Sequence, residues 1–354
     1  MSYFTAAGNL HMHTPFSDGV LLHAAIAEQA IRAGLDFVIV TDHNVWVDGV
    51  EGYYETEQGR VLLLVGEEVH DRRRRPQANH CLIYGAEREL SRCAPDPQHL
   101  IDETTVAGGF TFLAHPFDPA APTFGEPSLA WQDWDVEGYT GIEIWNFMSN
   151  FKGLLDGKLK TVQAAFRPER HVIGPEEATL RKWDELLGRG LRVAAIGNSD
   201  AHGTTYHAGP LSKVVFPYEY LFQAVNTHLV LEDELNGEFE RDKRLVLAAL
   251  GRGAGWVGYD LPASTRGFRF SGQGQNKGSM GDCIRFDLGA TLQLLAPQKC
   301  RLTLIHNGAA VAEARDEVNL TYLPTEPGAY RAECHINYLG QERGWIYSNP
   351  IYLE

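Results

Sequence analysis

Short apolar runs alternate with amphipathic stretches along roughly the first 265 residues of the chain. Residues 22–34 predict a helix, because apolar residues such as Leu22 and Ile26 repeat on one face and Gly34 follows as a stop signal. The apolar run 37–40 predicts the strand that comes next. A strand, a helix and a second strand in so few residues indicate a βαβ unit with parallel strands.

Later segments continue this pattern and then change. Apolar residues recur at helical spacing in 177–187, and we interpret 221–226 and 241–250 as helices too, followed by a strand at 256–259. From Gly267 onward, strands follow one another without helices: 268–270, 283–288, 291–295, 301–306, 309–313, 318–323, 328–337 and 345–353. Asn307-Gly308 is a two-residue hairpin signal. This region predicts a small all-β sandwich.

Most apolar runs of the first region are bounded by a side chain that can bind a metal ion. His11 and His13 point the same way, because successive side chains of a strand face opposite sides. Asp18 follows after a short turn, and His43 ends the second strand. Later runs carry or adjoin Glu67 and Glu68, His80, His115, Glu143, Asp200 and His202. Polar groups at the ends of successive strands are typical of a closed or nearly closed (βα) barrel.

The length of 354 residues predicts one large and one small domain. We expect an α/β architecture, with a distorted barrel over residues 1–265 and the β-sandwich over residues 266–354. An insertion at about residues 147–192 separates two strands of the barrel, and it is long enough to wall the mouth of an active site.

Charge and composition restrict the partners. A net charge of -15 argues against a nucleic-acid polymer, whereas a small ester substrate remains compatible because bound cations reverse the local charge. We expect no membrane span, because no apolar run reaches the necessary length, and no signal peptide, because no charged segment followed by an apolar one precedes the first motif. Five dispersed cysteines without a C-x-x-C pair predict free thiols and a cytoplasmic location. The oligomeric state stays open.

Several motifs occur in a fixed order: His11-Met-His13 with Asp18, Thr41-Asp-His43-Asn, Gly66-Glu-Glu68-Val, His80, Ala114-His115-Pro, Gly141-Ile-Glu143 and Ser199-Asp200-Ala-His202. In these motifs the sequence resembles the PHP family, the polymerase and histidinol phosphatase metallohydrolases, over roughly its first 265 residues. The segments 180–187, 216–218 and 345–352 look like a two-domain subgroup that includes carbaryl-hydrolase-like members.

The resemblance implies a distorted barrel that holds three divalent ions. Glu68 would bridge two of them. The other proposed ligands are His11, His13 and Asp200 for the first ion, His80 and His115 for the second, and Asp18, His43 and His202 for the third. All are imidazoles or carboxylates, a set that suits zinc, iron(II) or manganese without choosing among them.

A metal-bound hydroxide is the nucleophile that such a site would use. Family resemblance favours hydrolysis of a small phosphate mono- or diester, and the subgroup resemblance suggests a carbamate or carboxylic ester as the alternative. A different class of function is a non-catalytic binding protein with a vestigial barrel, in which the sandwich recognises a partner or glycan. The complete ligand set weighs against it, because a decayed site should have lost members.

Three further features have two interpretations each. Glu143 either acts directly or pairs with a second residue inside the barrel. His207 either protonates a leaving group or lies on a surface loop. Arg72–Arg75 form either a solvated loop or a fork onto a substrate phosphoryl or carboxylate group. Glu67 should face away from the site, His99 should lie on the surface, and His70 has no spacing argument.

Overall fold

A computed structural model describes residues 3–155, 167–203, 205–208, 211–214 and 216–354. The helices are α1 (His23–Ala33), α2 (Pro97–Val106), α3 (Phe147–Gly153), α4 (Glu177–Gly188), α5 (Tyr218–Phe222) and α6 (Phe239–Arg252). Short 3-10 turns cover Ser91–Cys93, Pro122–Phe124 and Pro168–Arg170. No helix in this described part of the chain has both the length and the apolar character that a membrane-spanning segment requires.

The strands fall into two groups along the chain. The first group is β1 (Phe4–Asn9), β2 (Phe37–Val40), β3 (Gly52–Thr56), β4 (Gly59–Val69), β5 (Cys81–Tyr84), β6 (Phe110–Leu113), β7 (Gly141–Asn146), β8 (Ala194–Asn198), β9 (Thr205–Ala208), β10 (Leu211–Val214), β11 (Val225–Leu231) and β12 (Gly255–Tyr259). The second group is β13 (Arg269–Gln273), β14 (Lys277–Ser279), β15 (Cys283–Ile284), β16 (Thr291–His306), β17 (Ala309–Tyr322), β18 (Gly328–Tyr338), β19 (Gln341–Ser348) and β20 (Ile351–Leu353).

The predicted βαβ unit is confirmed. Helix α1 ends at Gly34, whose left-handed backbone (φ 76°) lets its N–H reach the carbonyls of Ala30 and Ile31. Strand β2 then pairs in parallel with β1, with Gly8 opposite Phe37, and also in parallel with β4. Residues on the inner face of α1, such as Ile26 and Ala30, are fully buried against this sheet. The helical spacing in the sequence therefore corresponds to a packed face.

The sheet runs from β12 through β11, β1, β2, β4, β5, β6 and β7 to β8, with parallel and antiparallel neighbours. Among the described strands, pairing does not close this series into a barrel, so the predicted barrel is observed only as an open mixed α/β sheet. The described strands β1 and β8 are not paired through their backbones. Polar side chains connect this region instead: Asn198 Oδ1 accepts from the Leu10 N–H at 3.0 Å, and the Ser199 hydroxyl donates to the Asn9 side chain at 2.9 Å. One isolated bridge joins Met12 to Ala201 just beyond the strand ends.

The predicted helix over residues 221–226 is wrong in position. The helix α5 ends at Phe222, and Val225 begins β11, an antiparallel strand between β1 and β12. All seven residues of β11 are buried, because the strand is covered on both faces. Its sequence, Val-Asn-Thr-His-Leu-Val-Leu, does not alternate between apolar and polar residues, so the pattern that marks a half-buried strand is missing.

Two C-terminal strands are longer than predicted, whereas the strand expected over residues 283–288 is observed only at Cys283–Ile284. Four expected strands merge into β16 and β17, which pair over most of their length with register shifts that mark bulges. The hairpin signal is confirmed, because Asn307 (φ 47°) and Gly308 (φ 84°) both adopt the left-handed backbone that a tight turn between such strands requires.

This C-terminal region is attached to the first region at several points. Strand β19 pairs antiparallel with β12, with Val257 opposite Tyr347. Asn349 accepts from the Ala195 N–H at 2.6 Å and donates to the Ala195 carbonyl at 2.9 Å, so it pairs with β8 as a strand would. Arg343 donates to the carbonyl of Val172 at 2.8 Å. The C-terminal region thus supports both β8 and the segment around residue 172.

Candidate metal centre

His11 and His13 lie just past the end of β1, as the alternation in the sequence predicts. Both are fully buried, and their ring centroids are 5.3 Å apart. The turn that follows is held by Asp42, which accepts hydrogen bonds from the backbone and hydroxyl of Thr14, each at 2.7 Å. Gly19 closes the turn at a point where a Cβ atom would lie 2.1 Å from the His13 carbonyl oxygen. Only glycine fits this close approach.

Left-handed backbone conformations recur where strands deliver polar residues to this centre. His115 has φ 28° and Asp200 has φ 59°, while Asn44 (φ 55°) and Asn79 (φ 59°) stand next to His43 and His80. Residues other than glycine adopt this conformation at a cost of roughly 1 to 3 kcal/mol each, and such residues concentrate at functional sites. These turns bring side chains from several strands into one place.

One group of donors surrounds the Nε2 atoms of His11 and His13. His11 Nε2 lies 3.0 Å from Oε2 of Glu68 and 3.3 Å from Oδ1 of Asp200. His13 Nε2 lies 3.2 Å from the same Glu68 oxygen and 3.1 Å from the same Asp200 oxygen. Two imidazoles and two carboxylates therefore converge, and their donor atoms are close enough to share one ion.

A second group uses the other oxygen of Glu68. Oε1 of Glu68 lies 2.7 Å from Nδ1 of His80 and 3.1 Å from Nε2 of His115. Each oxygen of one buried carboxylate thus faces a different set of imidazoles. This is the arrangement in which a carboxylate can join two neighbouring cations.

A third group lies toward the solvent. Asp18, whose side chain is 54% exposed, places Oδ1 at 3.2 Å from Nε2 of His202 and Oδ2 at 3.7 Å from Nε2 of His43. Nδ1 of His13 lies 3.8 Å from Asp18 Oδ1. His13 therefore presents one ring nitrogen to the first group and the other to this one.

The electrostatics of the cluster favour bound positive charge. Burial opposes a charge on His13, but hydrogen bonds to Asp200 and Glu68 outweigh it and raise the pKa of His13 to about 9. Burial likewise opposes ionisation of Glu68, yet the nearby imidazoles, His43 first, hold its pKa well below the ordinary value. For Asp18, the hydrogen bond to His202 overcomes burial and lowers the pKa to about 2. The carboxylates thus attract either protons or metal cations into a buried space.

The ring nitrogens also fit metal ions. Nδ1 of His43 is buried, makes no hydrogen bond among the described residues and lies 3.1 Å from Oε2 of Glu68, whereas the unpartnered nitrogens of His80 and His115 are the ones that do not face Glu68. Leaving such groups without a partner is costly, so native proteins rarely do it. A divalent cation would pair with buried imidazole nitrogen and ionised carboxylate together, and the residues present match that requirement.

Glu143 lies behind His11. Its Oε1 is 3.0 Å from Nδ1 of His11 and accepts from Asn198 at 3.1 Å, and its Oε2 accepts from the His115 N–H and from Asn146, each at 2.9 Å. Both oxygens are thus fully used, and Glu143 does not line the cavity over the cluster within the described residues. The geometry corresponds to the indirect interpretation from the sequence, in which Glu143 pairs with a second residue.

His70 is a residue that sequence reasoning missed. Its ring stacks on that of His80, with centroids 4.3 Å apart and planes 11° apart, and it meets the edge of His43 at 5.1 Å. Burial lowers the pKa of His70 to about 4. Although three ring nitrogens come close here, nearly parallel rings cannot both direct lone pairs at one ion, so we assign His70 to packing against His80. One signal in the sequence could have placed His70 beside the cluster: it lies two residues after Glu68, and residues two apart in an extended chain face the same side.

The other sequence expectations have mixed outcomes. Glu67 faces away from the cluster and accepts from the Leu90 N–H at 3.2 Å, and burial raises its pKa to about 9. His99 is exposed on α2, as expected. The backbone of His207 lies in β9 opposite Ser212, but its side chain lies outside the described residues, so its proposed role stays a prediction.

A cavity of about 340 Å³ opens over the cluster. Ligand candidates from all three groups line it, together with other polar residues and four apolar residues: Leu129, Met148, Phe151 and Leu155. Three of these apolar residues belong to the predicted insertion, which therefore walls the cavity as expected. The arginines of 72–75 are absent from the described lining, and Arg74 instead binds Asp133 at 3.0 and 3.2 Å.

A family model, the PHP domain, matches residues 9–107. The range includes the candidate ligands from His11 to His80, and over these residues the resemblance to the PHP family seen in the sequence motifs is confirmed. The motifs from Ala114 onward lie outside the matched range. No curated protein matches the chain.

Three solved structures are distantly similar to this chain. A two-domain protein containing a predicted PHP-like metal-dependent phosphoesterase, from Bacteroides vulgatus, is 16% identical, covers 98% of this chain and 95% of its own, and has a TM-score of 0.39. A protein assigned as a metal-dependent phosphoesterase, from Bifidobacterium adolescentis, is 16% identical over 55% of this chain and 87% of its own, with a TM-score of 0.26.

A third structure is an amidohydrolase from Chromobacterium violaceum with bound sulfate and no metal. It is 16% identical, covers 60% of this chain and 92% of its own, and has a TM-score of 0.26. At such TM-scores these similarities carry no argument about the reaction of this chain. The assignment of function therefore depends on the residues of the site.

Proposed function

We propose that the protein is a metal-dependent hydrolase, and that it acts on a small phosphate mono- or diester. The observation that carries the proposal is the position of Glu68, whose two oxygens each face a separate set of imidazoles at 2.7 to 3.2 Å. A carboxylate placed in this way supports adjacent cations, and adjacent cations suit phosphoryl transfer to water.

The proposed ligands divide among three divalent ions. His11, His13 and Asp200 would hold the first with Glu68, His80 and His115 would hold the second with Glu68, and Asp18, His43 and His202 would hold the third. A donor set of imidazoles and carboxylates without thiolates supports zinc, manganese or iron(II). When bound, such ions lower the pKa of coordinated water to supply a hydroxide nucleophile and offset negative charge on substrate oxygens.

The protein's own residues orient the proposed metal ligands and select the substrate. Glu143 holds Nδ1 of His11, so Nε2 of that ring stays directed at the ion site. The apolar wall with Met148 and Phe151 shields one side of the cavity from water and gives room for the organic part of a small ester. A cavity of about 340 Å³ suits a small molecule better than a polymer.

The architecture we propose for this function keeps the sequence-based division. Residues 1–265 would form a distorted, incompletely closed barrel of PHP type that holds every proposed ligand, and residues 266–354 a small β-sandwich. The pairing of β12 with β19 supports a sandwich that is rigidly attached rather than tethered by a linker. We also propose a cytoplasmic enzyme without nucleic-acid partners, on the basis of five free thiols and the net charge of -15.

The experiment is a reconstitution of the purified protein with zinc, manganese or iron(II), followed by assays with p-nitrophenyl phosphate, bis-p-nitrophenyl phosphate and p-nitrophenyl acetate. We expect metal-dependent turnover of one of the phosphates, lost on chelation. Turnover of the acetate alone would indicate the carbamate or carboxylic ester hydrolase instead. Full metal loading without turnover of any substrate would favour the binding protein.

A further inference from the structure

Lys152 occupies a position over the metal cluster that the reaction described so far does not use. It lies near the end of α3, in the insertion, and it is the one lysine or arginine among the described residues that line the cavity. Its side chain is only 15% exposed. The four arginines that the sequence suggested for a substrate contact lie elsewhere, so the cavity obtains its cation from a different segment.

The ammonium group of Lys152 is held in a fixed place. Its Nζ donates to Oδ2 of Asp118 at 2.7 Å and to the carbonyl oxygen of Pro127 at 2.7 Å. An ammonium group carries three N–H bonds. The third N–H of Lys152 has no partner among the described residues, and it belongs to a group that lines the cavity.

Asp118 is built to hold this lysine. Besides Lys152, it accepts from the Ser149 hydroxyl at 2.7 Å and from the Leu129 N–H at 2.9 Å, and it is itself nearly buried. Its own N–H donates to the carbonyl of His115 at 2.9 Å, which ties this network to a proposed ligand of the second ion. A lysine fixed by three segments of the chain loses little further freedom when it binds a ligand.

We propose that Lys152 forms an oxyanion subsite beside the metal cluster, in which its third N–H binds a phosphoryl or phosphonate oxygen of the ligand. The proposal rests on the proposed function for the identity of the ligand. The charge of Lys152 is partly offset by Asp118, so the subsite takes one oxygen through a short charge-assisted hydrogen bond. Such bonds stabilise a complex by about 1.5 to 3 kcal/mol, which corresponds to roughly 10- to 100-fold in affinity.

The test measures binding of phenylphosphonate, which is not hydrolysed, to the metal-loaded protein by calorimetry. We expect Lys152→Gln to weaken binding by roughly 10- to 100-fold without changing metal content. The matched control is Lys182→Gln, because Lys182 is also in the insertion and also paired with a carboxylate, Glu185 at 3.0 Å, but does not line the cavity. Lys152→Arg should retain most of the affinity.

If Lys152→Gln does not fold because Asp118 loses its partner, the double variant Asp118→Asn with Lys152→Met removes both charges and gives the same expectation. Unchanged affinity in the folded variant, or no phenylphosphonate binding by the wild type, would overturn the subsite. The proposed function is tested separately. If the variant loses phosphonate binding but the wild type does not hydrolyse phosphoesters, the subsite is retained and the phosphoesterase is rejected. If the wild type hydrolyses phosphoesters but the variant binds phosphonate unchanged, the phosphoesterase is retained and the subsite is rejected.

Discussion

Nδ1 of His11 lies 3.0 Å from Oε1 of Glu143, and both side chains are completely buried. Because a carboxylate can only accept at that contact, Nδ1 would carry the proton when a metal ion occupies Nε2, the nitrogen that faces Glu68 and Asp200. The relationship fixes both the tautomer and the orientation of a proposed ligand. It also explains why a carboxylate that never reaches the cavity belongs to the site.

The first prediction is that Glu143→Gln lowers the affinity for the first ion by roughly 10- to 100-fold, the range seen when a group that orients a ligand is lost. The amide can present an N–H where His11 needs an acceptor. A metal titration against a competing chelator measures the effect, and activity should recover at excess metal. Glu137→Gln on the exposed surface is the control. An affinity equal to that of the wild type would show that Glu143 does not position His11.

Asp18 gives the second prediction, which concerns the number of ions. His43 and His202 are neutral donors, so Asp18 supplies the negative charge that a third cation needs beside two others. We expect three ions in the loaded wild type and two in Asp18→Asn, with a larger loss in rate than in affinity for the remaining pair. Native mass spectrometry counts them, with the exposed Asp135→Asn as control. Two ions in the wild type, or three in Asp18→Asn, would reject the third site.

A third prediction concerns the attachment of the C-terminal region. Arg331, 2% exposed, forms two hydrogen bonds of 2.7 Å with Asp184 of α4. Glu333, 2.6 Å from Arg331, still offsets its charge when Asp184 is removed, so the loss is that of the two charge-assisted hydrogen bonds, and Asp184→Ala should lower the free energy of unfolding by about 1.5 to 3 kcal/mol. The exposed pair of Glu177 and Arg181 on the same helix is the control, and Glu177→Ala should cost less than about 1 kcal/mol. Equal losses in urea unfolding would contradict this account.

The fourth prediction is a pH dependence of stability at a residue outside the candidate metal centre. Burial opposes ionisation of Asp260, but His228 at 2.8 Å and hydrogen bonds from Thr265 lower its pKa from 3.8 to about 2. Because the folded pKa is the lower one, this stabilisation is present above pH 3.8 and is lost as the pH falls toward 2. The stability difference between wild type and Asp260→Asn should therefore shrink by about 2 kcal/mol over that interval. Urea unfolding at stepped pH measures it, and a constant difference would be inconsistent with the shift.

The sequence predicted the elements whose signals are local. Helix α1 and strand β2 follow from apolar spacing and Gly34, and the hairpin at Asn307-Gly308 follows from turn chemistry. The candidate ligands were found because each stands at the end of an apolar run. Strand β11 was missed because it is buried on both faces, so its sequence lacks the alternation that marks a strand.

Contacts between distant segments were beyond the reach of the sequence. Nothing local indicates that Lys152 would meet Asp118, because the two residues are 34 positions apart and strand β7 lies between them in the sequence. The run of arginines at 72–75 offered either a solvated loop or a substrate contact, and in the structure Arg74 is bound to Asp133. The opening between β1 and β8 also depends on contacts between distant segments: the Asn198 side chain accepts from the Leu10 N–H and the Asn9 side chain accepts from the Ser199 hydroxyl, where a closed barrel would have backbone pairing between the two strands.

The most direct test of the metal-dependent hydrolase is a comparison of two neighbouring residues of one strand. Glu68 faces the imidazoles, whereas Glu67 faces away and bonds to Leu90. We expect Glu68→Gln to lose bound metal and metal-dependent turnover of p-nitrophenyl phosphate, while Glu67→Gln retains both, with elemental analysis and rate measured on the same samples. A Glu68→Gln protein with full metal content and normal turnover would contradict the account.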